Sequence, residues 1–119
     1  MYKISVETVF SAAHHLREYE GDCENVHGHN WKVRVTARYD VLPENGMAID
    51  FRDLKSETEN ILAALDHKDI NSLPYFEKIN PTSENIAKYI FDQIKSREIP
   101  VEKIEVFETD SYIACYSED

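Results

Sequence analysis

Three histidines and one cysteine in the first quarter of the chain are the residue types that metal binding and proton transfer require: His14, Cys23, His27 and His29. His27 and His29 flank Gly28, so in an extended segment both imidazoles project to one face, and His14 adds a third from a neighbouring strand. Three neutral nitrogen ligands suit Zn²⁺ with a fourth position open to water or substrate. The small residues Ser11-Ala12-Ala13 before His14, and Gly28 between the pair, permit close approach of backbone or ligand. On spacing alone, chance histidines on a solvated strand account for the pattern equally well. His15 points opposite to His14 in an extended chain and reads as a surface residue.

The elements that position these residues come from a chain of 119 residues, which implies a single domain, 1–119, with one modest core. That length leaves little room for a fully enclosed pocket, so a site built between subunits is expected. Hydrophobic residues make up 42% and charged residues 30%, as in an ordinary soluble globular protein. The formal net charge of −10 argues against nucleic acid as a partner, because such binding depends on clustered Lys and Arg. A small anionic substrate stays compatible with it, through a local basic pocket. No apolar run is long enough for a membrane span, and the segment from Met1 to Glu7 alternates like a strand, unlike a signal peptide. Cys23 and Cys115 lie far apart and read as free thiols of a cytoplasmic protein, with Cys115 a small packing residue of a strand.

Residues 2–14 read as a strand with a bulge near Ser11 to Ala13, and residues 15–26 as a polar loop carrying Cys23. Over 29–40, Val33, Val35, Ala37 and Tyr39 share one face and Lys32, Arg34, Thr36 and Arg38 the other. Pro43 to Gly46 is a turn, followed by a short extended piece at 47–49. Asp50 suits the N-cap of a helix over 51–65, whose apolar face holds Phe51, Leu54, Thr58, Ile61, Leu62 and Leu65. An irregular connection over 66–81 leads to a second helix over 83–97, capped by Thr82, with Ile86, Ala87, Ile90, Phe91 and Ile94 inward. Strands over 101–108 and 112–117 flank a tight turn at 109–111. The order β-β-α-α-β-β gives an α+β fold: a four-stranded antiparallel sheet with two helices on one face. Its open edges invite edge-to-edge assembly into a larger barrel.

The run from Phe10 to His14, Cys-x-x-x-His-Gly-His-Asn at 23–30, Leu65-Asp66-His67, Pro81-Thr82-Ser83-Glu84-Asn85 and Phe107-Glu108-Thr109 resemble the 6-pyruvoyl-tetrahydropterin synthase family, and within it the bacterial 6-carboxy-tetrahydropterin synthases of queuosine (7-deazaguanine) biosynthesis. The likeness covers nearly the whole chain. It implies the tunnelling fold (T-fold), with subunits joined edge to edge into trimeric barrels and two trimers stacked as a homohexamer. It implies a lyase acting on 7,8-dihydroneopterin triphosphate. The carboxy branch forms 6-carboxy-5,6,7,8-tetrahydropterin with release of acetaldehyde and triphosphate, and the pyruvoyl branch eliminates triphosphate and rearranges the side chain.

Carried onto this sequence, the resemblance makes His14, His27 and His29 the ligands of one Zn²⁺ per subunit, and Cys23 a proton-transfer residue. Asp66 and His67 become a pair in which the carboxylate orients the imidazole, meeting Cys23 across a subunit interface. Glu108 becomes the pterin anchor, accepting two parallel hydrogen bonds from the 2-amino group and a ring N–H. Thr82, Ser83 and Glu84 fall near the pterin, although helix capping explains them equally. Glu24 also precedes His27 at the spacing a folate-linked branch uses in place of the cysteine to form 6-hydroxymethyl-7,8-dihydropterin; as a solvated loop residue it needs no role. A non-catalytic metal- or pterin-binding module is the competing reading from outside enzymology.

Overall fold

A computed structural model describes residues 1–18 and 25–118. Its strands are β1 (Tyr2–His14), β2 (His27–Tyr39), β3 (Lys68–Asp69), β4 (Val101–Phe107) and β5 (Ile113–Ser117), with helices α1 (Phe51–Leu62) and α2 (Ser83–Ser96). The sheet runs β3-β1-β2-β4-β5. The four long strands pair antiparallel as the alternation predicts. The two-residue β3 was not legible as a strand; it pairs parallel with Ala12 and Ala13 and makes the sheet mixed.

Alternation in β2 buries Trp31, Val33, Val35 and Ala37, and Ile104 and Val106 of β4 lie beside them. Against this face pack Leu54, Thr58, Ile61 and Leu62 of α1 and Ile86, Ala87, Ile90, Phe91 and Ile94 of α2. Both caps are as expected: the Asp50 carboxylate accepts from Arg52 N at 2.8 Å, and Thr82 Oγ1 accepts from Asn85 N at 3.1 Å. Phe51 is a correction, being 62% exposed at the first helical position, a turn short of the core. The helix also stops at Leu62, not at 65, because the chain must turn back to the sheet. Leu65 is buried after that end, and His67 takes a left-handed φ of 59° while its N–H donates to Ser11 O at 2.6 Å.

Two further expectations change. The β1–β2 register runs unbroken from Tyr2 opposite Tyr39 to His14 opposite His27, with no bulge near Ser11 to Ala13. The small side chains there admit β3 along one edge, and the Ala12 carbonyl accepts from Trp31 Nε1 at 3.2 Å. The register shift falls instead at Thr36/Ala37, where β2 meets β4. There Arg38 N donates to the carbonyl of Pro100 at 2.9 Å, just ahead of β4. Among the described residues, no helix is long and apolar enough to cross a membrane.

Candidate metal centre

The periodicity that buries the core also builds this site. Phe10, Ala12 and His14 alternate onto one face of β1, and His27, His29 and Trp31 onto the same face of β2, with His14 directly opposite His27. The three histidines therefore continue the core face beyond its last apolar layer. His14 packs against His27 and His29 at ring-centroid distances of 4.5 and 5.4 Å, and the buried Trp31 meets His14 and His29 edge-on. One strand over, Ile104 and Val106 of β4 are buried, and the next residue on that face is Glu108. One donor atom from each of His14, His27, His29 and Glu108 falls within 4.8 Å of the others.

The proton positions follow from the partners. A carbonyl only accepts, so the contacts from His14 Nδ1 to Pro81 O at 2.8 Å and from His27 Nδ1 to Asn25 O at 2.7 Å fix a proton on each Nδ1. In the neutral rings, each Nε2 then carries a lone pair aimed inward. His14 Nε2 and His29 Nε2 are buried without a hydrogen bond. The nearest oxygen, Glu108 Oε1, lies 3.4 Å from the first and 3.0 Å from the second, where the contact is close without hydrogen-bond alignment. Burial pulls His14 and His29 below the ordinary histidine range, outweighing the opposite pull of the Pro81 carbonyl and then Glu108 on His14, and of Glu108 on His29. Neutral imidazoles whose lone pairs face one carboxylate in a buried spot fit a divalent cation, with Nδ1 hydrogen bonds orienting two of the ligands.

Two asparagines that the sequence did not single out hold the chain beyond His14. Asn71 Oδ1 accepts from His15 N at 2.9 Å, and its amide donates to His15 O at 3.1 Å. Asn80 treats Arg17 the same way, at 2.9 and 3.2 Å. His15 is thus half-buried and clasped, not the surface residue expected from alternation. Asn80 directly precedes Pro81, and its own carbonyl takes hydrogen bonds from Thr82 N and Asn85 Nδ2, so it fixes the carbonyl that orients His14. Asn80→Ala keeps that backbone carbonyl and removes only the side-chain clasp on Arg17, so it should leave metal affinity unchanged while costing about 1–3 kcal/mol of stability. A metal-competition titration and a urea melt check the two expectations.

Beside Glu108 lies a cavity of about 340 Å³ lined by Ser83, Glu84, Tyr112, Ile113 and Cys115 among others. Ser83 Oγ donates to Glu108 Oε2 at 3.3 Å. Of the three α2-start residues read from the sequence, Ser83 and Glu84 face the cavity, whereas the Thr82 hydroxyl is spent on the cap. Cys115 is exposed on the cavity wall, contrary to a packing role, because β5 is an edge strand with its odd positions outward.

A profile described as 6-pyruvoyl tetrahydropterin synthase matches residues 3–119. The chain belongs to this family. It is 37% identical over 131 residues to the human 6-pyruvoyl tetrahydrobiopterin synthase, covering 96% of this chain and 90% of that one. It is also 37% identical over 122 residues to the 6-carboxy-5,6,7,8-tetrahydropterin synthase of Synechocystis, covering 98% and 93%. The Caenorhabditis elegans 6-pyruvoyl tetrahydropterin synthase structure superposes with a TM-score of 0.83 at 33% identity, covering 100% and 98%. The fold is therefore the T-fold of the pterin synthases.

In this member of the pterin synthase family, Asp66 and His67 stand apart from the histidine cluster, at the β3 edge of the sheet. Asp66 Oδ1 accepts from Ser11 N at 2.9 Å and lies 3.1 Å from His67 Nδ1. The His67 side chain is 81% exposed. The imidazole is thus oriented by a carboxylate and open to solvent. The Ser11 N–H, and after it the His67 ring, hold Asp66 below the usual carboxylate range despite some desolvation. A depressed carboxylate adds stability above its unfolded value, near about pH 4, and loses it as pH falls through the folded value. The stability gap between the wild type and Asp66→Asn should therefore close in thermal melts run from about pH 6 to about pH 3. Cys23 and Glu24 lie outside the described residues.

Proposed function

We propose that this chain is a 6-carboxy-5,6,7,8-tetrahydropterin synthase that converts 7,8-dihydroneopterin triphosphate and water to 6-carboxy-tetrahydropterin, acetaldehyde and triphosphate, a step of 7-deazaguanine synthesis in the cytoplasm. The observation that carries it is the convergence of three inward imidazoles on a carboxylate that borders a cavity. His14, His27 and His29 hold the metal, which we take to be Zn²⁺. When bound, that ion supplies Lewis acidity toward substrate oxygen.

The chain's own groups do the rest. Glu108 accepts from the 2-amino group and ring N–H of the pterin, and Ser83 donates to that carboxylate and holds it in place. Glu84 lines the same cavity, while Thr82 keeps the start of α2 in position. Cys23 takes a proton from the substrate side chain, and His67 moves protons with it, its ring held by Asp66. Glu24 takes no part in this scheme. Among the described residues, much of the outer edge of β1 is unpaired, since β3 covers only Ala12 and Ala13, and β5 ends the sheet on the other side. Edge-to-edge pairing of copies into stacked trimers would carry the exposed His67 to a neighbour's site.

The pyruvoyl branch is the second reading, supported by the human relative at equal identity. Incubating zinc-loaded protein with 7,8-dihydroneopterin triphosphate and identifying the pterin by mass spectrometry separates them. 6-Carboxy-tetrahydropterin with acetaldehyde is expected. 6-Pyruvoyl-tetrahydropterin would move the chain to the sister branch, 6-hydroxymethyl-dihydropterin would move the proton transfer to Glu24, and bound pterin without turnover would leave a binding module.

A further inference from the structure

Glu108 faces two demands that one carboxylate does not meet at once. Its Oε1 sits among the imidazoles, 3.0 Å from His29 Nε2 and 3.4 Å from His14 Nε2. Its Oε2 takes the Ser83 hydroxyl on the side of the cavity that Ser83, Glu84 and Cys115 line. With the Nδ1 protons of His14 and His27 fixed by carbonyls, the space between the rings is bordered by lone pairs and one anionic oxygen. A cation placed there would have Oε1 within reach as a fourth donor. A pterin edge, by contrast, presents two parallel N–H donors and needs both carboxylate oxygens turned toward the cavity.

We infer that Glu108 closes the metal site before substrate binds, and that a pterin ring entering the adjoining cavity draws the carboxylate away, so that ring recognition itself opens the metal for the oxygens of the substrate. This rests on the pterin and metal assignments made above. It has a consequence for specificity. A bare pterin ring exchanges the Glu108–metal contact for neutral water, a weaker ligand than the carboxylate, whereas a substrate with side-chain hydroxyls supplies its own oxygens. Ring and metal therefore oppose each other in the absence of a side chain, and by linkage each weakens the other by the same factor.

The test uses cobalt(II) as the metal and unsubstituted pterin, which has no side chain, as the ring. Visible absorption of the cobalt centre reports its ligand set, and pterin fluorescence reports ring binding. Saturating pterin should change the wild-type cobalt spectrum. Glu108→Ala should show an altered spectrum from the outset and no response to pterin. Pterin should also bind metal-free protein about fivefold or more tighter than the cobalt form. Retained cobalt binding by Glu108→Ala shows that the variant is folded. Pterin binding with an unmoved wild-type cobalt spectrum, or equal or tighter affinity in the cobalt form, would overturn the inference and leave the proposed activity standing. Failure to bind cobalt or pterin at all would overturn both.

Discussion

Replacing His27 with alanine should remove tight divalent-metal binding and turnover together while the fold stays in place. His27 is the ligand best suited to this experiment. It begins β2, is only half-buried, and its Nδ1 bond goes to the exposed neighbour Asn25. His14 is fully buried, and its loss would strand the Pro81 carbonyl at about 1–3 kcal/mol, mixing a stability defect with the metal defect. Because loss of a mere outer-shell partner costs about 10- to 100-fold in metal affinity, loss of a direct ligand should exceed about 100-fold. Competition against a chelating dye gives the affinity, and circular dichroism checks the fold. Wild-type affinity in His27→Ala would remove the ion from this site.

The second large effect is at His67. A positioned acid–base group contributes about 10²- to 10⁴-fold, so His67→Ala should lower turnover by that range with metal and pterin binding unchanged. The backbone complicates alanine here, since His67 is held at φ 59° and an ordinary residue in that region costs roughly 1–2 kcal/mol. Asparagine tolerates the left-handed region and removes the imidazole. His67→Asn should therefore lose the same rate with a smaller loss of stability, which single-turnover kinetics and a thermal melt separate. Full activity in His67→Asn would remove the imidazole from the chemistry.

Much of this architecture was legible in the sequence because it is periodic. Alternation in β2 and the apolar stripes of both helices gave the sheet, the helical face and the caps at Asp50 and Thr82. The same alternation put His14, His27 and His29 on one face, and motif resemblance supplied Glu108 and the Asp66–His67 pair. What stayed hidden is aperiodic. β3 is two residues long, too short for any pattern, and exists because His67 turns left-handed onto Ser11. The clasps by Asn71 and Asn80 span 56 and 63 residues, and nothing in either local sequence announces them. The proximity of Glu108 to the histidines is likewise tertiary, set by the β2–β4 register and by Ser83 at the start of α2.

Three imidazoles, and no thiolate, should hold the metal in the zinc-loaded protein. X-ray absorption at the zinc edge tests this most directly. Three imidazole nitrogens with oxygen completing the shell are expected. A sulfur scatterer in the wild type, or fewer than three imidazoles, would contradict it.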